Sequence, residues 1–179
     1  MSHTIQTHIP YPSALHVTAV DENGQRMSSG GLTVRPIHFS GKEILCGAVG
    51  GVGTEPEYRR GGLVREIFTE MAAECDRRAI PLTVLHPFSF AYYRAFGFER
   101  VADHRVLEFP ITALNFVPRY PDLIRCTGDT HNTELAQVYN TFAADGRHLM
   151  FTRTPNHFPT GDNRKKVYLS RDGEGRPDG

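Results

Sequence analysis

Four consecutive residues, Arg59-Arg60-Gly61-Gly62, stand between a glycine-interrupted apolar run and a long amphipathic segment. These are residue types that hold a phosphate. Guanidinium groups supply fixed positive charge, and glycines let backbone N–H groups approach a ligand closely. A helix starting at that point adds the positive end of its dipole. Further along, Tyr92-Tyr93-Arg94-Ala95-Phe96-Gly97-Phe98 places Tyr93 four residues before a Gly-Phe pair, and His86 lies between the two motifs. Other phosphate devices fail on spacing. A dinucleotide fingerprint needs a third glycine after Gly51 and Gly53, but Pro56 stands there. The sole Gly-Lys pair, Gly41-Lys42, is followed by Glu43 rather than Ser or Thr. The three cysteines do not cluster and the nine histidines are scattered, so no metal site is expected and these histidines read as surface or hydrogen-bonded residues.

The elements that must position these residues follow from periodicity and turn chemistry. Residues 16–20 read as a strand, Asp21-Glu22-Asn23-Gly24 as a hairpin turn, and residues 27–39 as a second strand with Pro36 at an irregularity or edge. After a turn at Ser40-Gly41, residues 43–52 form a third strand. Its alternation is blurred by Gly47, Gly50, Gly51 and Gly53, which mark a bulge or the close approach of a ligand. Pro56 ends it. A helix begins near Gly62, carrying Leu63, Val64, Ile67, Phe68, Met71, Ala72, Cys75 and Ala79 as its apolar stripe, and Ile80-Pro81 stops it. Residues 82–85 read as a short strand buried on both faces. Strand, helix and strand at this spacing make a βαβ unit with parallel strands. A short helix over 89–96 and a bent strand pair over 98–109, turning at 102–104, complete the first part. Beyond a linker at 115–121, the pattern gives a strand at 123–126, a helix at 133–144 capped by Gly146, a loop over 147–164, and a strand at 166–170. A turn at 172–175 follows, and the chain ends where a partner strand would begin.

Composition narrows the class of protein. The 179 residues carry 20 basic and 20 acidic side chains, so no basic footprint points to nucleic acid or an anionic membrane surface. The hydrophobic fraction of 39% supplies a core. Three separated cysteines in apolar settings read as reduced thiols of a cytoplasmic protein. The N-terminus shows no secretory pattern, and no apolar run has membrane-spanning length.

The loop Arg59-x-x-Gly62-x-Val64 at a helix start, paired with Tyr93 ahead of Gly97-Phe98, resembles the GNAT superfamily of acyl-CoA-dependent N-acyltransferases. Valine occupies the last position of the loop, where that family carries a small residue. The run from Val52 to Arg65, together with residues 81–86 and Tyr93-x-x-Phe96-Gly97-Phe98, further resembles the enhanced-intracellular-survival (Eis) acetyltransferases. The resemblance extends from about residue 14 to the C-terminus, with its specificity between residues 49 and 98. It implies an α+β fold with a GNAT-like mixed central sheet: antiparallel N-terminal strands, one parallel βαβ pair and a C-terminal strand pair. Residues 1–114 would form an acetyl-CoA-binding domain lacking the family's usual first strand and two helices. Residues 115–179 would form a linker and the start of a second GNAT-like half.

The resemblance also implies site residues. Backbone groups of Arg59, Arg60, Gly61, Gly62, Leu63, Val64 and Arg65 hold the pyrophosphate of acetyl-CoA. Val52, Gly53 and Thr54 border the pantetheine, a backbone N–H near Val52 polarises the thioester carbonyl, and Phe88 and Ser89 contact the coenzyme. Tyr93 matches the family's general acid. His86, at a strand end, is the candidate to take up a proton directly or through water. The implied activity is acetyl transfer to a primary amine of a small molecule or peptide, with no metal, no nucleic acid and no membrane partner. A homo-oligomer remains open. The alternative is a catalytically impaired acyl-CoA-binding or interaction module derived from such an enzyme.

Overall fold

The computed structural model describes residues 2–103, 105–116, 122–145, 149–158 and 166–179. It divides into two compact units. Met1–Ile37 with Glu43–Val101 form the first, and His38–Lys42 with Ala102–Gly179 form the second.

The first unit is built on a sheet in the order β1-β2-β3-β4-β5, comprising β1 (Thr4–Tyr11), β2 (Ala14–Val20), β3 (Arg26–Phe39), β4 (Lys42–Thr54) and β5 (Leu82–Val84). The β1/β2 and β2/β3 pairs are antiparallel, and β4/β5 is parallel. β1 was not expected from the sequence. Its side chains are exposed apart from the half-buried Ile5, so the run carries little of the alternation that marks a half-buried strand. The hairpin at residues 21–24 forms as expected. The Asp21 carboxylate accepts the N–H groups of Asn23 and Gln25, and Gly24 takes φ 78°.

Helix α1 (Leu63–Arg77) buries Leu63, Ile67, Phe68, Met71, Glu74 and Cys75. The spacing of three and four residues puts that stripe on one face. Ile67, Phe68, Met71 and Cys75 share a core with Leu15, Val17 and Leu32 from the strands, and with Ile80 and Tyr93. Each such side chain contributes about 1.5–3 kcal/mol by leaving water. The helix stops two residues earlier than the stripe through Ala79 suggests. Ala79 adopts φ 51°, its N–H donates to Asp76 O, and Ile80 N–H donates to Cys75 O at 2.9 Å. This is a Schellman closure, with Pro81 immediately beyond.

Glu74 is buried on this helix and is held by Arg77, whose Nη2 lies 2.6 Å from Oε2, and by Arg78. Arg78 also donates to Pro12 O at 2.6 Å, tying the β1–β2 connection to α1. The hydrogen bond from Arg77 holds the Glu74 carboxyl below its ordinary value of 4.5, assisted by Arg78 against the opposing effect of burial. That stabilisation is present above the ordinary value and lost as pH falls through the lowered one. Glu74→Gln is expected to cost about 2 kcal/mol at neutral pH. In urea unfolding the deficit should shrink as the pH falls below 4.5.

Two expectations are corrected. β5 is half-buried rather than covered on both faces. The C-terminal strand pair over 98–109 is absent: none of its described residues is in a strand. Val101, Val106, Leu107 and Phe109 are largely exposed. Alternating apolar side chains do not make a strand without a neighbouring ladder to pair with. His104, in the expected turn, lies outside the described residues.

In the second unit, β6 (Ile124–Cys126) pairs antiparallel with β8 (Val167–Leu169), so the strand expected near 166–170 has a partner. Helix α3 (Asn132–Ala144) packs Leu135 against Cys126 and Leu169. β7 (Met150–Phe151) is a two-residue strand. Arg153 lies 4.2 Å over the Tyr139 ring, and its backbone N–H donates to Asn140 Oδ1. The end of the chain folds back, with Ser170 N–H donating to Gly179 O. Gly146 and most of the linker and loop residues expected at 117–121 and 159–164 lie outside the described residues. A hollow of about 250 Å³ in this unit is lined by Asp129, Asn132, Thr133, Pro155 and Asn156, none of them an expected site residue. Among the described residues, no helix is long and apolar enough to cross a membrane.

Candidate functional site

β4 and β5 pair over only three positions: Cys46 with Leu82, Gly47 with Thr83, and Ala48 with Val84. β4 continues to Thr54, whereas the chain after Val84 leaves the ladder. From Val49 onward, the β5-facing edge of β4 is therefore open. Gly51 sits in this stretch at φ 63°, in the left-handed region, and among the described residues no atom beyond the chain neighbours lies within 4 Å of where a Cβ would stand at Gly50, Gly51 or Gly53. Before the divergence the contact is close. A Cβ on Gly47 would lie 2.6 Å from Leu32 Cδ1 and 3.2 Å from Thr83 Cγ2. Ser28, almost fully buried, fixes the far end of β4 by donating to Gly53 O at 2.9 Å, with Thr54 Oγ1 also at 2.9 Å.

β4 runs into the basic loop through a 3-10 turn at Pro56–Tyr58. Arg59 Nε donates to Thr54 O at 3.3 Å, folding that side chain back on the strand end. Arg60 has φ 66° and Gly62 has φ 84°, so left-handed residues flank Gly61. Such alternation turns successive N–H groups toward one side. The first helical bond is Arg65 N–H to Gly62 O at 2.8 Å. None of the backbone N–H groups of Arg60, Gly61, Gly62, Leu63 and Val64 has a hydrogen-bond acceptor among the described residues. Five unpaired donors at the positive end of a 15-residue helix are groups that an anion could engage. A Cβ at Gly61 would press on Tyr58 O at 3.3 Å, whereas the space at Gly62 is open.

Tyr93 is placed by α2 (Phe90–Arg94), whose N-terminus is capped by Ser89 Oγ accepting Tyr92 N–H at 3.3 Å. Gly97, at φ 88°, lets the chain reverse so that Phe98 N–H donates to Tyr93 O and the Phe98 ring meets the Tyr93 ring edge-on at 6.1 Å. The Tyr-x-x-x-Gly-Phe pattern is thus a helix closure that clamps the tyrosine. Tyr93 is 6% exposed and belongs to the same core cluster as Phe68, with Val49, Val52, Val64 and Leu85 packed against that cluster. Burial, with Tyr92 adding to it, pushes the Tyr93 phenol above its ordinary value of 10.0. The group is therefore a neutral proton donor at physiological pH.

The remaining expected residues are distributed as follows. Val52 and Val64 are half-buried against the Tyr93 cluster, Leu63 is buried, and Gly53 and Arg65 are exposed. Phe88 is 77% exposed with its ring 5.4 Å from Tyr93, and Ser89 serves as the cap. His86 is exposed just beyond β5, and among the described residues no hydrogen bond joins it to Tyr93. Sequence reasoning missed Ser28, for which a lone serine in a strand gives no signal. It also missed Tyr92 and Phe96, which their repetition beside Tyr93 and Phe98 could have indicated. The cysteines are free and buried, and burial together with Cys75 pushes Cys46 up to about 11, leaving that thiol unreactive.

A mixed sheet whose parallel pair parts, with unpaired N–H groups at the following helix start, is the arrangement of one family of acyl-transfer proteins. The sequence profile of the acetyltransferase (GNAT) domain matches residues 4–101, and the chain belongs to that family. Among solved structures, a conserved protein of unknown function from Enterococcus faecalis V583 aligns with 99% of this chain and 53% of its own, at TM-score 0.72 and 17% identity. This chain thus spans about half the length of that protein and shares its fold. A predicted acetyltransferase with acetyl-CoA from Clostridium acetobutylicum aligns with 54% of this chain and 64% of its own, at TM-score 0.46 and 20% identity. An acetyltransferase of Trypanosoma brucei aligns with 54% of this chain and 70% of its own, at TM-score 0.47 and 18% identity. Comparison with curated proteins finds no match.

Proposed function

We propose that the first unit binds acetyl-CoA and transfers its acetyl group directly to a primary amine of a small molecule or peptide. The observation that carries this reading is the set of five unpaired N–H donors from Arg60 to Val64 beside the open edge of β4. The donors suit a pyrophosphate, and the β4 edge suits the amides of a pantetheine arm lying along it as an added strand would. The coenzyme supplies an activated thioester. A β4 backbone N–H near Val52 polarises its carbonyl, a contribution of about 3 kcal/mol to the barrier. The amine nitrogen forms the new C–N bond as the C–S bond breaks. Tyr93 gives its proton to the departing thiolate, and the amine proton leaves through His86 and water. Residues 49–98 carry the Eis-like character, and the second unit corresponds to the opening of a further GNAT-like half in a cytoplasmic enzyme.

One observation favours a second reading, an acyl-CoA-binding module without turnover: among the described residues, no hydrogen bond or ring contact joins His86 to Tyr93. Calorimetry with acetyl-CoA tests the site, with a micromolar dissociation constant, about −8 kcal/mol, expected. Thiol release with polyamine, aminoglycoside and peptide-amine acceptors separates the two readings. Absence of acetyl-CoA binding would overturn both.

A further inference from the structure

We infer that the hollow at the start of helix α3 binds a primary alkylammonium group, independently of the acetyl-CoA reading above. The hollow lies wholly within the second unit and holds about 250 Å³. Asn132 is its buried member, 6% exposed, while Asp129, Thr133, Pro155 and Asn156 make an exposed rim. The Asn132 side chain is only half satisfied. Its Nδ2 donates to Asp129 Oδ1 at 3.1 Å, which fixes the sense of the amide, because a carboxylate has no hydrogen to give to Oδ1. Asn132 Oδ1 is buried and has no hydrogen-bond partner among the described residues. A buried acceptor left without a donor is rare in folded proteins. The end of the amide that meets an occupant is therefore an oxygen, and it calls for an N–H or O–H.

The walls of the hollow are braced. Asn132 N–H donates to Asp129 O at 3.2 Å, closing the turn into α3. The other wall is the 3-10 turn Pro155–His157, closed by a capping box between Thr154 and His157. Asn140 of α3 ties that segment down: its Nδ2 donates to Arg153 O at 2.8 Å, and its Oδ1 accepts Arg153 N–H at 2.9 Å. The hollow is thus formed before anything enters it. Its lining selects the occupant. Asp129 is the one charged side chain in it among the described residues, and Asn132 Oδ1, Thr133 and Asn156 add oxygen acceptors. An alkylammonium brings three donors and one positive charge to that set. The positive end of α3 opposes a cation, but a helix terminus carries about half a unit charge against the full charge of Asp129.

The test titrates the full chain with n-butylammonium chloride and follows the Thr133 backbone amide by NMR, with 1-butanol as the uncharged control. Butylammonium should shift that resonance with a dissociation constant of about 1 mM or tighter, and butanol should bind at least about tenfold more weakly. Asp129→Asn removes the charge but keeps an acceptor for Asn132 Nδ2, and should weaken butylammonium about threefold. Asn132→Ala removes the buried acceptor and should weaken it about tenfold. Circular dichroism shows whether α3 persists in each variant. No shift in the wild-type chain, or equal binding of butanol, would overturn the proposal and leave the hollow to water. Wild-type affinity in Asp129→Asn would overturn it whether or not Asn132→Ala folds. Equal shifts with potassium or calcium chloride would replace the amine by a simple ion. The readout lies in the second unit, so none of these outcomes bears on coenzyme binding by the first.

Discussion

A Gly62→Val chain is expected to bind acetyl-CoA at least about 100-fold more weakly than wild type while retaining helix α1. Gly62 takes φ 84° at the N-cap of that helix, where an L-residue is strained by about 1–2 kcal/mol and a β-branched one most of all. Relaxing the strain rotates the peptide units on either side and withdraws their N–H groups from a shared ligand. Loss of one or two donors to a charged oxygen, at about 1.5–3 kcal/mol each, accounts for the expected effect. The side chain would also enter space that no described residue beyond its local backbone occupies within 4 Å. Gly62→Asn is the informative companion, because asparagine tolerates the left-handed conformation and adds bulk alone. Circular dichroism shows whether the helix persists, and calorimetry gives the affinity. Wild-type affinity in Gly62→Val would show that the phosphate loop lies elsewhere.

Tyr93→Phe is expected to lower kcat by about 100-fold or more while leaving acetyl-CoA affinity unchanged. Only the hydroxyl is removed. The ring still meets Phe68 at 6.2 Å and Phe98 at 6.1 Å, so the core that places it persists. The pH dependence supplies a second readout. The neutral phenol is the competent form, and burial raises its ionisation above 10.0. Wild-type turnover should therefore hold up to that value and decline only as the pH climbs through the raised one. The phenylalanine variant should lack that alkaline decline. Lost binding with unchanged turnover per bound enzyme would remove Tyr93 from the chemistry and return it to a packing role.

Helix α1 and its loop were legible in the sequence for a physical reason. The stripe Leu63, Ile67, Met71, Cys75 and the glycines before it are local signals, and local hydrogen bonds build the helix. The parallel pairing of β4 with β5 followed from the same βαβ spacing. Strand β1 escaped notice because it lies at the sheet edge and shows mostly polar or exposed side chains. The segment over 98–109 erred in the opposite direction. Its alternation is strand-like, but strand formation depends on a neighbour that no local pattern encodes. At the site, composition exposed the glycines but not their geometry. The left-handed conformation of Arg60 breaks the usual preference for glycine. The clamp of Phe98 on Tyr93 likewise emerges only when Gly97 reverses the chain.

The parting of β4 from β5 after Ala48 and Val84 has a consequence for the survival of the protein as well as for its activity. A strand edge left open inside a fold is a template for any extended peptide, including a neighbouring chain in a crowded solution. Whatever fills that gap selectively stabilises the folded form. A ligand at one hundred times its dissociation constant adds about 2.7 kcal/mol, enough to reduce the unfolded fraction roughly a hundredfold. On the reading proposed above, the supply of coenzyme governs the lifetime of the folded chain as well as its rate of turnover.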